Sequence, residues 1–545
     1  MDTKPSQAIF VIIYLSFLTD TEGRGKQWLC PPNTHLCECS SSKRTSPISL
    51  TADCHNRNLT QVPMFVKNYS KLKFSGNILQ NLTKKTFNNV RNLSISQLYL
   101  NACGIIGVEA NSFSGMSLDF VDFGDNEDIN LTQLAMCFRS NHLRGITLSG
   151  IPLGNYVTEF FNTTVSEKLE FVRIANCKLK VLERALFDHM HNLGELDVSR
   201  NFLKQLDLST LTRVKILTAR SISLSFLPNL TLAGQLVHLD LGWNQISDLS
   251  ELYDKGNSLK SLRNLFLDSN PITVINEDAF SRLKSLHSLS LCNMTSLYDF
   301  SGLKSTSMKY FNFSNNNIGS IRVHYKTFFQ KVTGLEYLNM FSTSLRGWTN
   351  DDIAKLFLPL CSSLKKLSMA GTDVATIQST TLRCFRKLEV LDISSNGISS
   401  WEPDAFINVT ISKRIKFRNN DIRLINETNF RGEIFERYPS PHLDFSGNPL
   451  ECSCKAHWFR NWMKGKYNKL SSSLGNNYKC HYPKQMYGRK FVDYDPEYDK
   501  CFGMYPVVIA GLCISVGCLV LVTLLTSLSK GYSSRKPDYV PVRDM

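Results

Sequence analysis

From residue 69 to 448 the apolar positions recur in one pattern, LxxLxLxxN. Its clearest copies are LGELDVSRN (Leu193 to Asn201), LVHLDLGWN (Leu236 to Asn244), LRNLFLDSN (Leu262 to Asn270) and LEVLDISSN (Leu388 to Asn396). Weaker copies end at Asn77, Cys103, Asn126, Ile151, Cys177, Ile222, Met294, Asn316, Thr343, Thr372, Asn420 and Asn448. That makes about 16 copies, with ends 21 to 29 residues apart. The LxL part alternates, so it predicts a short strand with one face inward and the other in solvent. One copy cannot bury its leucines alone, whereas stacked copies share a continuous core. The strands then form a parallel sheet on a concave side.

The asparagine position predicts an inward turn, because its amide both donates and accepts hydrogen bonds. Cys103 and Cys177 replace it twice. Cysteine there is small, buried and a weak donor, so both are expected to be structural rather than reactive. A phenylalanine precedes many of the strands, at Phe87, Phe113, Phe187, Phe280, Phe328 and Phe406. These rings are expected to fill the wider convex half of each coil. The weak copies over 126–151 and 214–222 predict irregular coils.

An open-ended array exposes core at both ends, so its end units must differ. Here each end carries four cysteines. The N-terminal group is Cys30, Cys37, Cys39 and Cys54; the C-terminal group is Cys452, Cys454, Cys480 and Cys501, opening in NPLECSC. Four cysteines allow three pairings, and spacing does not choose among them. Zinc is the other reading of CxC with His481 nearby, but a secretory context favours disulfides. Cys361 and Cys384 flank LKKLSMAGT and are candidates for an additional bridge. Trp458 and Trp462, four apart with Phe459 beside them, predict an aromatic helix face against the last coil.

Two apolar runs lie outside the repeats. Ala8 to Leu18, preceded by Lys4, is too short to span a bilayer and reads as the core of a signal peptide over residues 1–25. Residues 506–528 contain no charge and as a helix would extend about 34 Å, enough to cross a bilayer. Tyr505 before it and Lys530, Arg535 and Lys536 after it predict a single-pass type I plasma-membrane protein with its N-terminus outside. The expected divisions are a cap at 26–68, repeats at 69–448, a second cap at 449–502, the membrane helix at 506–528 and a cytoplasmic tail at 529–545. Eleven N-x-S/T sequons stand on the outer side, at Asn58, Asn68, Asn81, Asn92, Asn130, Asn162, Asn229, Asn293, Asn312, Asn408 and Asn426, and predict glycosylation.

Composition adds little: 42% hydrophobic and 20% charged residues suit a folded chain. The net charge of +15 changes the picture at one place. Between Cys452 and Val492 stand nine basic residues and no acid, followed by Asp493, Asp495, Glu497 and Asp499. Such a flank suits an anionic partner: glycan, lipid or nucleic acid.

At this point the chain resembles an extracellular leucine-rich-repeat receptor with cysteine-rich flanks, and most of all the ectodomain of Toll-like receptors. The resemblance rests on the sequons, the irregular repeats, the phenylalanine-bearing convex segments, and NPLECSC followed by tryptophan and an apolar span. It covers about residues 30–528. It implies an α/β leucine-rich-repeat solenoid (a horseshoe with a parallel concave sheet), disulfide-stapled caps and one transmembrane helix. It also implies the pairs Cys30 with Cys39, Cys37 with Cys54, Cys452 with Cys480 and Cys454 with Cys501. The 17 residues after the apolar span are too few for the cytoplasmic TIR domain of that family. The expectation is an innate-immune recognition receptor, or an accessory or decoy receptor, without direct adaptor recruitment. Expected partners are a protein, glycan or microbial ligand, and a second copy or a Toll-like receptor in a dimer. A cell-adhesion or matrix-binding repeat protein is the alternative.

The concave face is the expected ligand side, with Asp197, Asp240, Trp243, Phe266, Phe341 and Asp392 as its solvent-facing candidates. GxSxG, HExxH and phosphate-loop motifs are absent from the sequence, so no enzyme activity, cofactor or metal is expected.

Overall fold

The computed structural model describes residues 27–30, 36–41, 49–138, 143–163, 166–256, 258–301, 303–320, 322–323, 328–406, 409, 411, 413–425, 428, 443–466, 477–494 and 514–527. The signal segment, the tail, Asn408, Asn426 and Cys501 lie outside them. The chain forms two compact units: 1–374 with 380–392 and 409–412, and 375–379 with 393–408 and 413–545.

The first unit is built on short parallel strands. Three-residue strands at 71–73, 97–99, 120–122, 145–147, 171–173 and 195–197 pair in sequence order, and the series continues through Val390–Asp392. Every pairing joins the middle residue of one strand to the middle residue of the next. Leu72, Leu98, Val121, Ile146, Val172, Leu196 and Leu217 thus form one inward row, continued by Leu239, Leu265, Leu289, Phe311, Leu338, Leu367 and Leu391. All are buried, and each fully buried side chain of this size contributes about 2 kcal/mol. The copy near 214–222, read as irregular, forms an ordinary strand at Ile216–Thr218 in this row.

The asparagines hold successive coils together. In Asn244 the side-chain Nδ2 donates to the carbonyls of Ala219 (2.8 Å) and Leu241 (2.9 Å). Its Oδ1 accepts from the amides of Ile222 (3.0 Å) and Leu224 (3.2 Å). Asn77, Asn126 and Asn201 repeat this four-way pattern. Where cysteine stands instead, only a thiol donor remains: Cys177 Sγ lies 3.2 Å from the Leu148 carbonyl. Burial pushes that thiol up to about 12, so it is unreactive. Cys103 is buried and shifted in the same direction.

The residue before each asparagine takes a left-handed conformation. Arg200, Trp243, Ser269 and Asn315 have φ between 54° and 59°. On the convex side Phe87, Phe113, Phe187, Phe280 and Phe328 are all buried, as their spacing predicts. The coil over 126–151 carries a helix on its outer side, Leu131–Phe138, as do the coils with Val157–Thr163 and Ser250–Lys255. Asn130 caps the first of these, accepting from the amide of Gln133 at 3.0 Å. The helix Asn350–Phe357 begins with a capping box between Thr349 and Asp352 and buries Ile353, Leu356 and Phe357. Disulfides join Cys30 to Cys39, Cys37 to Cys54 and Cys361 to Cys384.

In the second unit Arg414–Lys416 and Leu443–Asp444 pair in parallel. Trp401, Phe417 and Phe445 stack in its core. Cys452 is joined to Cys480, and Cys454 is also disulfide-bonded. The helix His457–Lys466 buries Phe459 against Phe445 and Phe491, while Trp458 is half-exposed and the Trp462 side chain lies outside the described residues. Residues 514–527 form an exposed helix. Among the described residues, no helix is long and apolar enough to cross a membrane.

The four-way amide sets a local prediction. Asn244→Ala removes the acceptor of two buried amides and the donor to the Ala219 carbonyl, while the Leu241 carbonyl keeps its bond from Asn270 (3.0 Å), a loss of about 3 kcal/mol or more. Hydrogen exchange at the Ile222 and Leu224 amides should accelerate accordingly, and Asn244→Cys, which restores a donor but not the acceptor, should accelerate it to a similar extent.

Candidate recognition surface

Outward side chains at the two flanking positions of each strand make up the concave face of the first unit. Between the strands at 216–218 and 337–339 these side chains are tied into one polar chain. Arg220 Nη1 donates to both carboxylate oxygens of Asp240 (3.1 Å each) and lies 3.8 Å from Asp268. Asp268 Oδ1 accepts from the Ser290 hydroxyl (2.5 Å) and the Cys292 amide (2.9 Å). Asn312 donates to Ser290 (2.9 Å), Asn339 donates to Asn312 (3.0 Å), and Asn339 accepts from the backbone amide of Phe341 (3.1 Å).

This arrangement corrects one expectation. Asp240 is not solvent-facing; it is 4% exposed. Gly242 is the reason. A side chain there would fall within 2.7 Å of the Arg220 guanidinium, so only glycine lets Arg220 lie flat over the coil and cover Asp240. The Gly242 amide completes the site with a 3.0 Å bond to Asp240. Burial pushes both the Asp240 and the Asp268 carboxyl above the ordinary carboxylate range, with Arg220 opposing the shift. His238 beside them is buried and packs on Phe266 at 5.2 Å. Desolvation lowers its pKa to about 4, against a smaller opposing pull from Glu195.

Asp197, Phe266 and Asp392 are half-buried. Trp243 and Phe341 are the exposed members of the set, at 47% and 45%. Trp243 is unusual for its backbone: it holds φ 59°, a region where a bulky side chain is rare. Sequence reasoning missed Arg220, His238, Tyr310 and Tyr337. The two tyrosines stack at 4.4 Å on adjacent strands, and the Lys366 ammonium sits 4.6 Å from the Tyr337 ring. Their signal was present in the copies KYFNFSN and EYLNMFS, at outward strand positions.

The sequons divide by environment. Asn58, Asn68, Asn81, Asn92, Asn130 and Asn162 are exposed. Asn229, Asn293 and Asn312 are half-buried, and the amide nitrogens of Asn293 and Asn312 donate to Ser269 and Ser290 (2.9 Å each). Among the described residues, no group of His, Cys, Asp and Glu is placed to hold a metal ion.

The repeating strand, the asparagine ladder and the buried phenylalanines define a leucine-rich-repeat protein. A family model described as Leucine Rich Repeat matches residues 387–409. Toll-like receptor 9 of Mus musculus is 28% identical over 239 residues, 39% of this chain and 23% of that receptor. Toll-like receptor 3 of Boselaphus tragocamelus is 27% identical over 299 residues, 53% of this chain and 29% of that receptor. The chain thus matches less than a third of the length of either relative. The crystal structure of the TLR13–ssRNA13 complex shares the fold, with TM-score 0.53 at 18% identity over 82% of this chain and 77% of that one. The array has the leucine-rich-repeat fold, and its sequence is similar to stretches of Toll-like receptors.

Two predictions follow from the polar chain. Arg220→Met should destabilise by about 3 kcal/mol, because it strands a buried carboxylate. Adding Asp240→Leu should restore most of that loss, as read by chemical denaturation. His238 sets a pH dependence. Its folded pKa near 4 lies below the usual 6.5, so on acidification the unfolded chain takes up a proton first. Stability should fall as pH drops below 6.5, by about 2 kcal/mol at pH 5 from this group. In His238→Phe that part of the pH slope should vanish.

Proposed function

We propose that this chain is a cell-surface recognition receptor of the Toll-like kind, or an accessory to such a receptor. It takes a protein, glycan or microbial ligand on the concave face around Trp243 and Phe341, alone or in a dimer with a second copy or a Toll-like receptor. The single observation that carries the site is Trp243: a large ring, exposed, on a left-handed backbone position that elsewhere among the described coils is filled by Gly, Ser, Asn, Asp, Ala or Arg and by no other aromatic residue. The polar chain from Arg220 to Phe341 makes the floor beneath it rigid. Rigid aromatic anchors of this kind bind with little loss of side-chain entropy.

The signal segment over 1–25, the span over 506–528 and the flanking charges support a type I plasma-membrane protein. Caps at 26–68 and 449–502 enclose the repeats. Glycans are proposed at the six exposed sequons, all between Asn58 and Asn162. Asn312 is a poor acceptor in this reading, because its nitrogen is held within the concave face.

The test separates binding from folding. Trp243→Asn should leave stability unchanged or raised, because asparagine suits the left-handed region. The same variant, and Phe341→Ala, should lower capture of partners in proximity labelling on intact cells by about tenfold, the effect of losing one anchor of 1.4 kcal/mol. Unchanged labelling would sink the concave-face reading. Aggregation of cells by the full chain, unaffected by either variant, would favour adhesion instead.

A further inference from the structure

The second unit carries a surface that the concave-face reading does not use. Beside the strand Cys480–Tyr482 lies a recess of about 740 Å³, lined by Ser399, Ser400, Asp421, Arg423, His481 and Tyr482 among others. The Arg423 guanidinium stacks over the Tyr482 ring at 4.7 Å. His481 and Tyr487 meet in a T-shaped contact, ring centroids 4.9 Å apart, and Tyr487 is 65% exposed.

Next to this recess the chain makes an unfavourable pairing. Lys479 and Lys490 face each other across an antiparallel bridge. The backbone fixes this register: Cys480 donates to the Arg489 carbonyl (2.8 Å), Gly488 to that of Cys480 (2.9 Å) and Phe491 to that of Tyr478 (2.9 Å). Directly opposed residues in such a bridge lie on one face, and like charges there repel. Lys479, Lys484, Arg489 and Lys490 are all exposed, and the sequence from Cys452 to Val492 offers no acid to neutralise them. The acids nearest in sequence are Asp493, just past the hairpin, and Glu451, before Cys452; Asp421 stands on the recess wall.

We propose that this hairpin and recess bind a sulfated glycosaminoglycan. The lysine pair would receive sulfates, and binding would relieve its repulsion. The recess supplies what a sugar polymer needs beyond charge. Serine hydroxyls and the Asp421 carboxylate can meet sugar hydroxyls, and the exposed face of Tyr487 can stack on a sugar ring. The recess holds hydroxyl partners and an acceptor beside the basic pair, which suits a polymer that presents sugar hydroxyls between its anionic groups over a phospholipid surface that presents headgroup charge alone. The proposal is independent of the concave face.

The test uses the full chain, in detergent, binding to heparin across a salt series. A polyanion releases about one counterion per cation contacted. The slope of log affinity against log salt should therefore fall by about two in Lys479→Ser/Lys490→Ser. Desulfated heparin should not bind. Heparin should also protect Lys479 and Lys490 of the unmodified chain from amine acetylation while leaving Lys178 and Lys180 reactive, a readout that needs no variant to fold. An unchanged slope, equal binding of desulfated heparin, or absence of protection would overturn the proposal. So would tighter binding, through the same two lysines, of phosphatidylserine vesicles or a single-stranded oligonucleotide.

Discussion

The structure depends on one side chain used repeatedly: a buried amide that makes four hydrogen bonds at once. A turn at the end of each strand leaves backbone amides and carbonyls in an apolar interior, where unpaired groups are costly. Asn244 satisfies four of them, one at its own strand end and three in the preceding coil. The amide pins successive coils to one another, and where Cys103, Ile151, Cys177 or Ile222 stands in its place the leucine row keeps the same register. The left-handed residue before the asparagine is the local conformation that aims the amide inward.

The outward face is governed by a different balance. There is too little room at the strand flanks for every side chain to reach solvent. Arg220 settles over Gly242 and covers Asp240, and the chain of bonds then runs through Ser290 and Asn312 to Asn339. Trp243 and Phe341 remain exposed, as do Tyr310 and Phe171 on the strands. The face is thus divided between a fixed polar floor and a few aromatic projections.

This division explains what was legible in the sequence. Strand positions, inward leucines, convex phenylalanines and the asparagine turn all follow from a local pattern, and the structure places them accordingly. The outward residues do not follow from it. Asp240 and Asp197 occupy the same position in their copies, yet one is buried and the other half-buried, because only Asp240 has Arg220 beside it. Trp458 and Phe459 pose the same difficulty: adjacent aromatic residues predict an aromatic face, but helix phase decides which ring enters the core. Disulfide chemistry was readable from compartment and count, whereas the partners needed a resemblance or a structure.

The register of the strands has a further consequence. From Leu72 to Leu391 the middle residues pair without offset, although successive coils differ by as many as eight residues in length. All of the difference is absorbed away from the sheet, as in the helices Leu131–Phe138 and Asn350–Phe357. Insertions and deletions can therefore accumulate on the outer side over evolutionary time without shifting a single residue of the inner surface. The array behaves as a ruler with fixed gradations and replaceable backing, so its inner face can diversify by point substitution while its outer side diversifies by length.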